Sequence, residues 1–104
     1  MSTDHRLSAK SQVESIISML QNDPQRGTLQ PVIDECEALA RAIAAFHIEG
    51  IRFRMFNVDR LLAKSGLPVP AGCAPIFTNV RHELEAAGFH TRSHQAPPTS
   101  TPGA

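Results

Sequence analysis

Tryptophan and tyrosine are absent from this 104-residue chain, so its five phenylalanines supply all of the aromatic packing. No apolar run approaches the ~20 residues that a helix needs to cross a bilayer. The polar start MSTDHRLSAK also lacks the apolar core of a secretory signal. We therefore expect a cytoplasmic protein without a membrane partner, and a chain of this length predicts one domain with a single small core.

Cysteine is scarce, and the two thiols, Cys36 and Cys73, show no CxxC spacing. A disulfide remains an alternative, but two thiols in a reducing compartment are more typical of packing residues. Cys73 could share a zinc ion with His82, His90 and His94, yet no compact ligand pair with zinc-finger spacing accompanies them. Phosphate-binding glycine loops and an oriented nucleophile are missing as well. We predict no enzyme activity, no metal and no cofactor.

Net charge is also zero, but the two signs are unevenly distributed. Residues 1–40 carry three basic side chains against six acidic ones, a net charge of −3. Residues 41–104 carry seven against four, a net charge of +3. Such an imbalance between the two parts of a chain is a hint that the second part binds an anion.

Two helices are predicted in the first half of the chain. The pattern Ser11-Gln-Val-Glu14 fits a capping box and predicts a helix over residues 11–21, which leaves residues 1–10 disordered. Pro31 suits the first turn of a second helix, and Gly50 is its predicted end. Apolar residues recur at helical spacing along that second helix and form one predicted core stripe, which comprises Val32, Cys36, Leu39, Ile43 and Phe46.

The region 51–94 contains a more varied pattern. Apolar and arginine side chains alternate over residues 51–55, which favours a half-buried strand, although continuation as helix is the open alternative. Asn57 and Gly66 delimit a short predicted helix over 57–65, and the two prolines of the following loop cannot continue it.

The best-patterned helix of the chain is predicted over residues 75–87. Its apolar face comprises Ile76, Phe77, Val80, Leu84 and Ala87, and Gly88 is at the position of a left-handed helix stop. Residues 90–94 could form a second strand beside 51–55. Residues 95–104 have no large apolar side chain and predict a disordered tail.

This order of helix, strand, short helix, helix and strand resembles the winged helix-turn-helix superfamily over residues 31–94. The resemblance implies a mainly α (α+β) domain over residues 11–94, with an extra N-terminal helix and a small two-stranded β element. It also implies that 75–87 is the recognition helix and 57–65 its supporting helix. Two departures from the pattern, the long loop 66–74 and the missing return strand, leave at most a stub of a wing.

The resemblance further implies a non-catalytic DNA-binding protein, a small transcriptional regulator or accessory factor. It would bind double-stranded DNA as a homodimer through the polar face of helix 75–87. The residues implied in base reading are Thr78, Asn79, Arg81 and His82. The residues implied in phosphate contacts are Arg52, Arg54, Arg60, Lys64 and Arg92.

The same polar face is equally typical of an ordinary solvated helix. The alternative hypothesis is therefore a small α-helical protein–protein interaction or dimerisation module that binds no nucleic acid. Whether the helix 11–21 packs on its own domain or on a second copy is open at this point. Salt dependence separates the two functions, because phosphate contacts weaken steeply with salt and an apolar interface does not.

Overall fold

The computed structural model describes residues 4–89, which form four α-helices and no β-strand. The helices are α1 (His5–Gln21), α2 (Gln30–Ala44), α3 (Ile48–Lys64) and α4 (Cys73–Ala86). The predicted winged helix-turn-helix domain with a two-stranded β element is therefore wrong, since its first strand is helical. The second predicted strand, 90–94, and the predicted tail, 95–104, lie outside the described residues.

Helix α1 begins six residues before the predicted capping box. Its N-cap is Asp4, whose side chain accepts a hydrogen bond from the Leu7 N–H at 3.1 Å. Ser11 lies inside the helix, where its carbonyl oxygen accepts from the Ser15 hydroxyl at 3.3 Å. Asp is as good an N-cap as Ser, so two competing start signals stood seven residues apart and the earlier one is used.

The α2–α3 corner contains the one non-glycine residue with positive φ among residues 4–89, Phe46 at 58°. The His47 N–H donates to the Ala42 carbonyl and the Phe46 N–H to the Ile43 carbonyl, the two bonds of a Schellman motif. Helix α2 therefore ends before Phe46. The predicted end at Gly50 is wrong, because Gly50 lies in the first turn of α3 and donates its N–H to the capping Nδ1 of His47 at 2.8 Å.

Helix α3 replaces two predicted elements, the strand 51–55 and the short helix 57–65. Ile51, Met55 and Val58 are fully buried, and their i, i+4, i+7 spacing is that of one helical face. Phe53, which strand alternation would have buried with Ile51, is instead 45% exposed. The five-residue alternation was too short to distinguish the two periods.

Helix α4 ends as the sequence predicts. Gly88 has φ 99°, its N–H donates to the Glu85 carbonyl, and the Phe89 N–H donates to the Leu84 carbonyl. This is a second Schellman motif, and the buried Phe89 side chain is its hydrophobic latch. The helix begins at Cys73, two residues before the predicted Pro75.

Helix α1 packs against both α2 and α4 of its own chain, and α2 packs against α3. The α1 side chains that face this core are Ala9, Val13, Ile16 and Leu20. All four are essentially inaccessible to solvent, so the helix that the sequence left unplaced is central to the core. None of the described helices is long and apolar enough to cross a bilayer.

Replacing Gly88 with Ala should destabilise the domain by about 1 kcal/mol, because an L side chain at φ 99° is strained whatever space surrounds it. Gly27→Ala is the matched control, since a Cβ there meets nothing within 4 Å and φ is not positive. Urea unfolding of both variants measures the difference. Equal stabilities would contradict the role of Gly88 as the helix stop.

Candidate functional site

The exposed face of α4 carries three of the four residues predicted to read bases. Thr78, Asn79 and His82 are exposed, whereas Arg81 is only 7% exposed. The structure thus brings three of these side chains to one solvated surface. Arg81, the strongest candidate for a guanine contact, lies to the side of it.

Arg81 is held between α4 and α3. Its Nη2 lies 3.6 Å from Asp59 Oδ1, and its guanidinium carbon lies 5.5 Å from the ring centroid of Phe77. The carboxylate neutralises the charge, and the ring covers one face of the guanidinium. This arrangement stabilises the contact between the two helices and keeps the side chain away from a ligand at the exposed face.

Two of the predicted phosphate contacts are also paired within the chain. Arg52 Nη1 lies 2.8 Å from Glu49 Oε2, and Arg54 Nη1 bonds both carboxylate oxygens of Glu35 at 3.1 Å. Glu35 accepts a further bond from the Asn57 amide at 3.2 Å. The Arg54 pair joins α3 to α2, so its charge contributes to packing rather than to an open cationic surface.

Arg60 and Lys64 differ from the other predicted cations. Both are exposed, and neither has a carboxylate within 4.0 Å among residues 4–89. They border a cleft of about 300 Å³ that is also lined by Phe56, Asp59 and Ala63. Arg92, the last predicted phosphate contact, lies outside the described residues.

A second surface lies at the corner between α2 and α3, and we call it the corner surface (Arg6, Phe46, Ile48 and Phe89). The rings of Phe46 and Phe89 have centroids 5.3 Å apart and planes at 56°. The Arg6 guanidinium lies 5.3 Å from the Phe46 centroid, and its Nη1 donates to the Ile43 carbonyl at 2.8 Å. The corner surface therefore joins the N-terminus of α1 to the C-termini of α2 and α4.

Phe46 is 59% exposed and Ile48 is 51% exposed. The prediction that Phe46 belongs to the core stripe of α2 is wrong, because the helix ends before it and the left-handed turn redirects its ring. A bulky residue in this conformation is a backbone outlier that costs about 1–2 kcal/mol, and glycine would avoid the cost. No glycine or asparagine marks this turn, so the sequence carried no signal for it.

Metal ligands and cysteine nucleophiles are the next kinds of site to consider among residues 4–89. No group of three His, Cys, Asp or Glu side chains among residues 4–89 is placed to hold a metal. Cys36 and Cys73 are free and buried. Burial, reinforced by the nearby Cys73, raises the pKa of the Cys36 thiol to about 12, and burial also raises the pKa of Cys73. A raised pKa is the opposite of what a nucleophilic cysteine needs.

Comparison with known proteins finds no family model, curated protein or solved structure that matches this chain.

Replacing Arg81 with Ala should lower the free energy of unfolding by about 1–2 kcal/mol, because Asp59 and Phe77 lose the side chain packed between them. His82→Ala on the exposed face of the same helix is the control and should change stability by less than about 0.5 kcal/mol. Chemical denaturation of both variants gives the comparison. If the two variants were equally stable, Arg81 would not be a packing residue.

Alkaline pH should destabilise the protein through Cys36. Below pH 9.0, its ordinary pKa, the thiol is protonated in both the folded and unfolded states. Between pH 9 and about 12 the unfolded chain loses this proton and the folded chain keeps it, so stability falls as pH rises. The limiting slope for one thiol is about 1.4 kcal/mol per pH unit.

Urea unfolding at a series of alkaline pH values measures this slope. Cys36→Ala should be less stable throughout, because it leaves a cavity, but its stability should fall less steeply with pH. Parallel curves for the variant and the parent chain would count against the assignment to Cys36.

Proposed function

We propose that this chain is a non-catalytic helical interaction module whose first partner is a second copy of itself. The observation that carries the proposal is the corner surface, where an aromatic ring is held largely in solvent at a cost to the backbone. Phenylalanine is an unusual residue type at position 46 for two reasons. Its conformation favours glycine, and its ring is more than half exposed.

Strained residues persist where the surroundings fix them, and they cluster at functional sites. Here the surroundings are the centre of the Phe89 ring and the Arg6 guanidinium carbon, each of which lies 5.3 Å from the centroid of the Phe46 ring and restricts its orientation. A fixed aromatic ring loses little conformational entropy on binding, which is why aromatic side chains dominate interface energetics. The corner surface is thus organised before a partner arrives.

A second copy is a suitable partner on electrostatic grounds. The net charge of the chain is zero, so two copies experience no overall repulsion. In a two-fold symmetric contact each Phe46 would face the same surface of the other chain. The module is small, and a dimer adds buried apolar area that a single core of this size lacks.

Duplex-DNA binding by α4 is the competing proposal. Exposed Thr78, Asn79 and His82 favour it, but they contribute no fixed positive charge. Arg52, Arg54 and Arg81 each lie within ion-pair distance of an acidic side chain. Affinity for DNA comes largely from cations that neutralise phosphates, and cations already paired within the protein contribute less to it.

Sedimentation velocity over a concentration series tests the proposal. The parent chain should form dimers, and Phe46→Gly should shift the monomer–dimer equilibrium towards monomer by at least about tenfold. The variant should stay folded, because relief of the left-handed strain, about 1–2 kcal/mol, offsets the lost ring pair, about 0.5–1.5 kcal/mol. Circular dichroism during thermal unfolding checks this.

Leu7→Lys is the control for apolar exposure in general, since Leu7 is 50% exposed but lies on the side of α1 opposite its buried residues. It should leave the equilibrium unchanged. Retention of the chain on duplex DNA, measured over a salt series, addresses the competing proposal. A monomer at all concentrations that binds DNA with a steep salt dependence would replace the interaction module with a DNA-binding protein.

A further inference from the structure

The side of α3 that faces away from the core carries aromatic and basic side chains in one stripe. At 100° per residue, Phe53, Phe56, Arg60 and Lys64 fall within about 80° of arc, roughly opposite the buried Ile51, Met55 and Val58. We call the stripe, together with Ala63, the outer face of α3. Phe53 is 45% exposed, and Phe56 is half-buried at the cleft described above.

Charge is distributed unevenly along α3. In its first half Arg52 and Arg54 lie beside carboxylates of the same chain, and the Arg54 guanidinium also lies 5.1 Å from the centroid of the Phe53 ring. In its second half Asp59 is within ion-pair distance of Arg81. Arg60 and Lys64 in the second half have no such carboxylate among the described residues. The outer face of α3 therefore combines aromatic surface with two exposed positive charges at the rim of a cleft.

We propose that the outer face of α3 is the docking site for an acidic amphipathic helix of a partner protein. Apolar side chains of that helix would pack on Phe53 and Phe56, and its flanking carboxylates would pair with Arg60 and Lys64. An amphipathic helix laid along an apolar surface is a common mode of peptide recognition, and opposite charge at the rim sets its orientation and speeds its association. This proposal names a partner for the interaction module and rests on that function, but it uses a different surface.

Nucleic acid is the other polymer that combines negative charge with flat apolar groups. Two exposed cations are few for that role, since affinity for nucleic acid comes largely from cations that neutralise phosphates. The Asp59 carboxylate at the cleft does not decide between the two partners, because it lies within ion-pair distance of Arg81. A protein helix needs only two carboxylates opposite Arg60 and Lys64, and it can place apolar side chains over the aromatic rings.

The test uses two synthetic peptides of about 15 residues, the length at which an isolated helix becomes stable enough to study. Both peptides carry leucines at i, i+3, i+4 and i+7, and one has glutamates and the other lysines on the flanking positions. Fluorescence anisotropy with the full chain should show at least about tenfold tighter binding of the glutamate peptide. The difference should shrink as salt rises from about 0.05 to about 0.5 M, because exposed charges are then screened.

Charge reversal locates the site. Arg60→Glu with Lys64→Glu should weaken binding of the glutamate peptide at least about tenfold and strengthen that of the lysine peptide. Arg26→Glu with Arg41→Glu is the matched control, since it reverses two other exposed arginines and should leave both affinities unchanged. Phe53→Ala with Phe56→Ala should weaken both peptides alike, because it removes the shared apolar contact.

Three outcomes overturn the proposal: equal affinity for the two peptides, an equal effect of the control reversals, or tighter binding of a single-stranded oligonucleotide of matched length. Dimerisation distinguishes this failure from failure of the proposed function. If Phe46→Gly still shifts the monomer–dimer equilibrium while the glutamate peptide does not bind, the interaction module stands and the docking site on α3 is withdrawn.

Discussion

The burial of the apolar face of α1 is the contact on which the rest of this structure depends. Val13, Ile16 and Leu20 are almost fully removed from solvent between α2 and α4. At about 25 cal/mol per Å² of apolar surface, each such side chain contributes on the order of 1.5–3 kcal/mol. These contributions are large beside the few kcal/mol of net stability of a small domain. The orientation of α4, and with it the identity of its exposed face, follows from this contact.

Hydrogen bonds and ion pairs between the helices add a preferred orientation to that apolar contact. The His5 Nδ1 lies 2.6 Å from Glu83 Oε1, and Arg6 donates to the Ile43 carbonyl. Arg54 and Arg81 then connect α3 to α2 and to α4. Four arginines have partners within the protein, namely Arg6, Arg52, Arg54 and Arg81. The last three had been predicted to bind DNA. Their positive charge stabilises the protein's own carboxylates, which is why the corner surface and the outer face of α3 are better candidates for recognition.

The structural features that could be predicted from the sequence are those that short local patterns determine. Four of the five predicted core residues of α2 are confirmed, as are three of the five on the predicted apolar face of α4 and the glycine stop after it, because helical spacing and a residue with easy access to positive φ are direct signals. Prediction failed where two local signals competed or where none existed. Asp4 competed with Ser11 as a cap, and a five-residue alternation over 51–55 hid a helix. Phe46 carried no sign of a left-handed turn, so the corner surface, which depends on that turn, could not be predicted.

The pairing of α1 with α4 also constrains how the chain acquires its structure. The His5–Glu83 contact joins residues 78 positions apart. Contacts of such wide separation require a large loop to close before they stabilise anything, which slows folding. On the ribosome, the apolar face of α1 would emerge long before its covering helix is synthesised. Until α4 is available, α1 can pack only on α2, and the part of its apolar face that α4 covers stays exposed on the nascent chain.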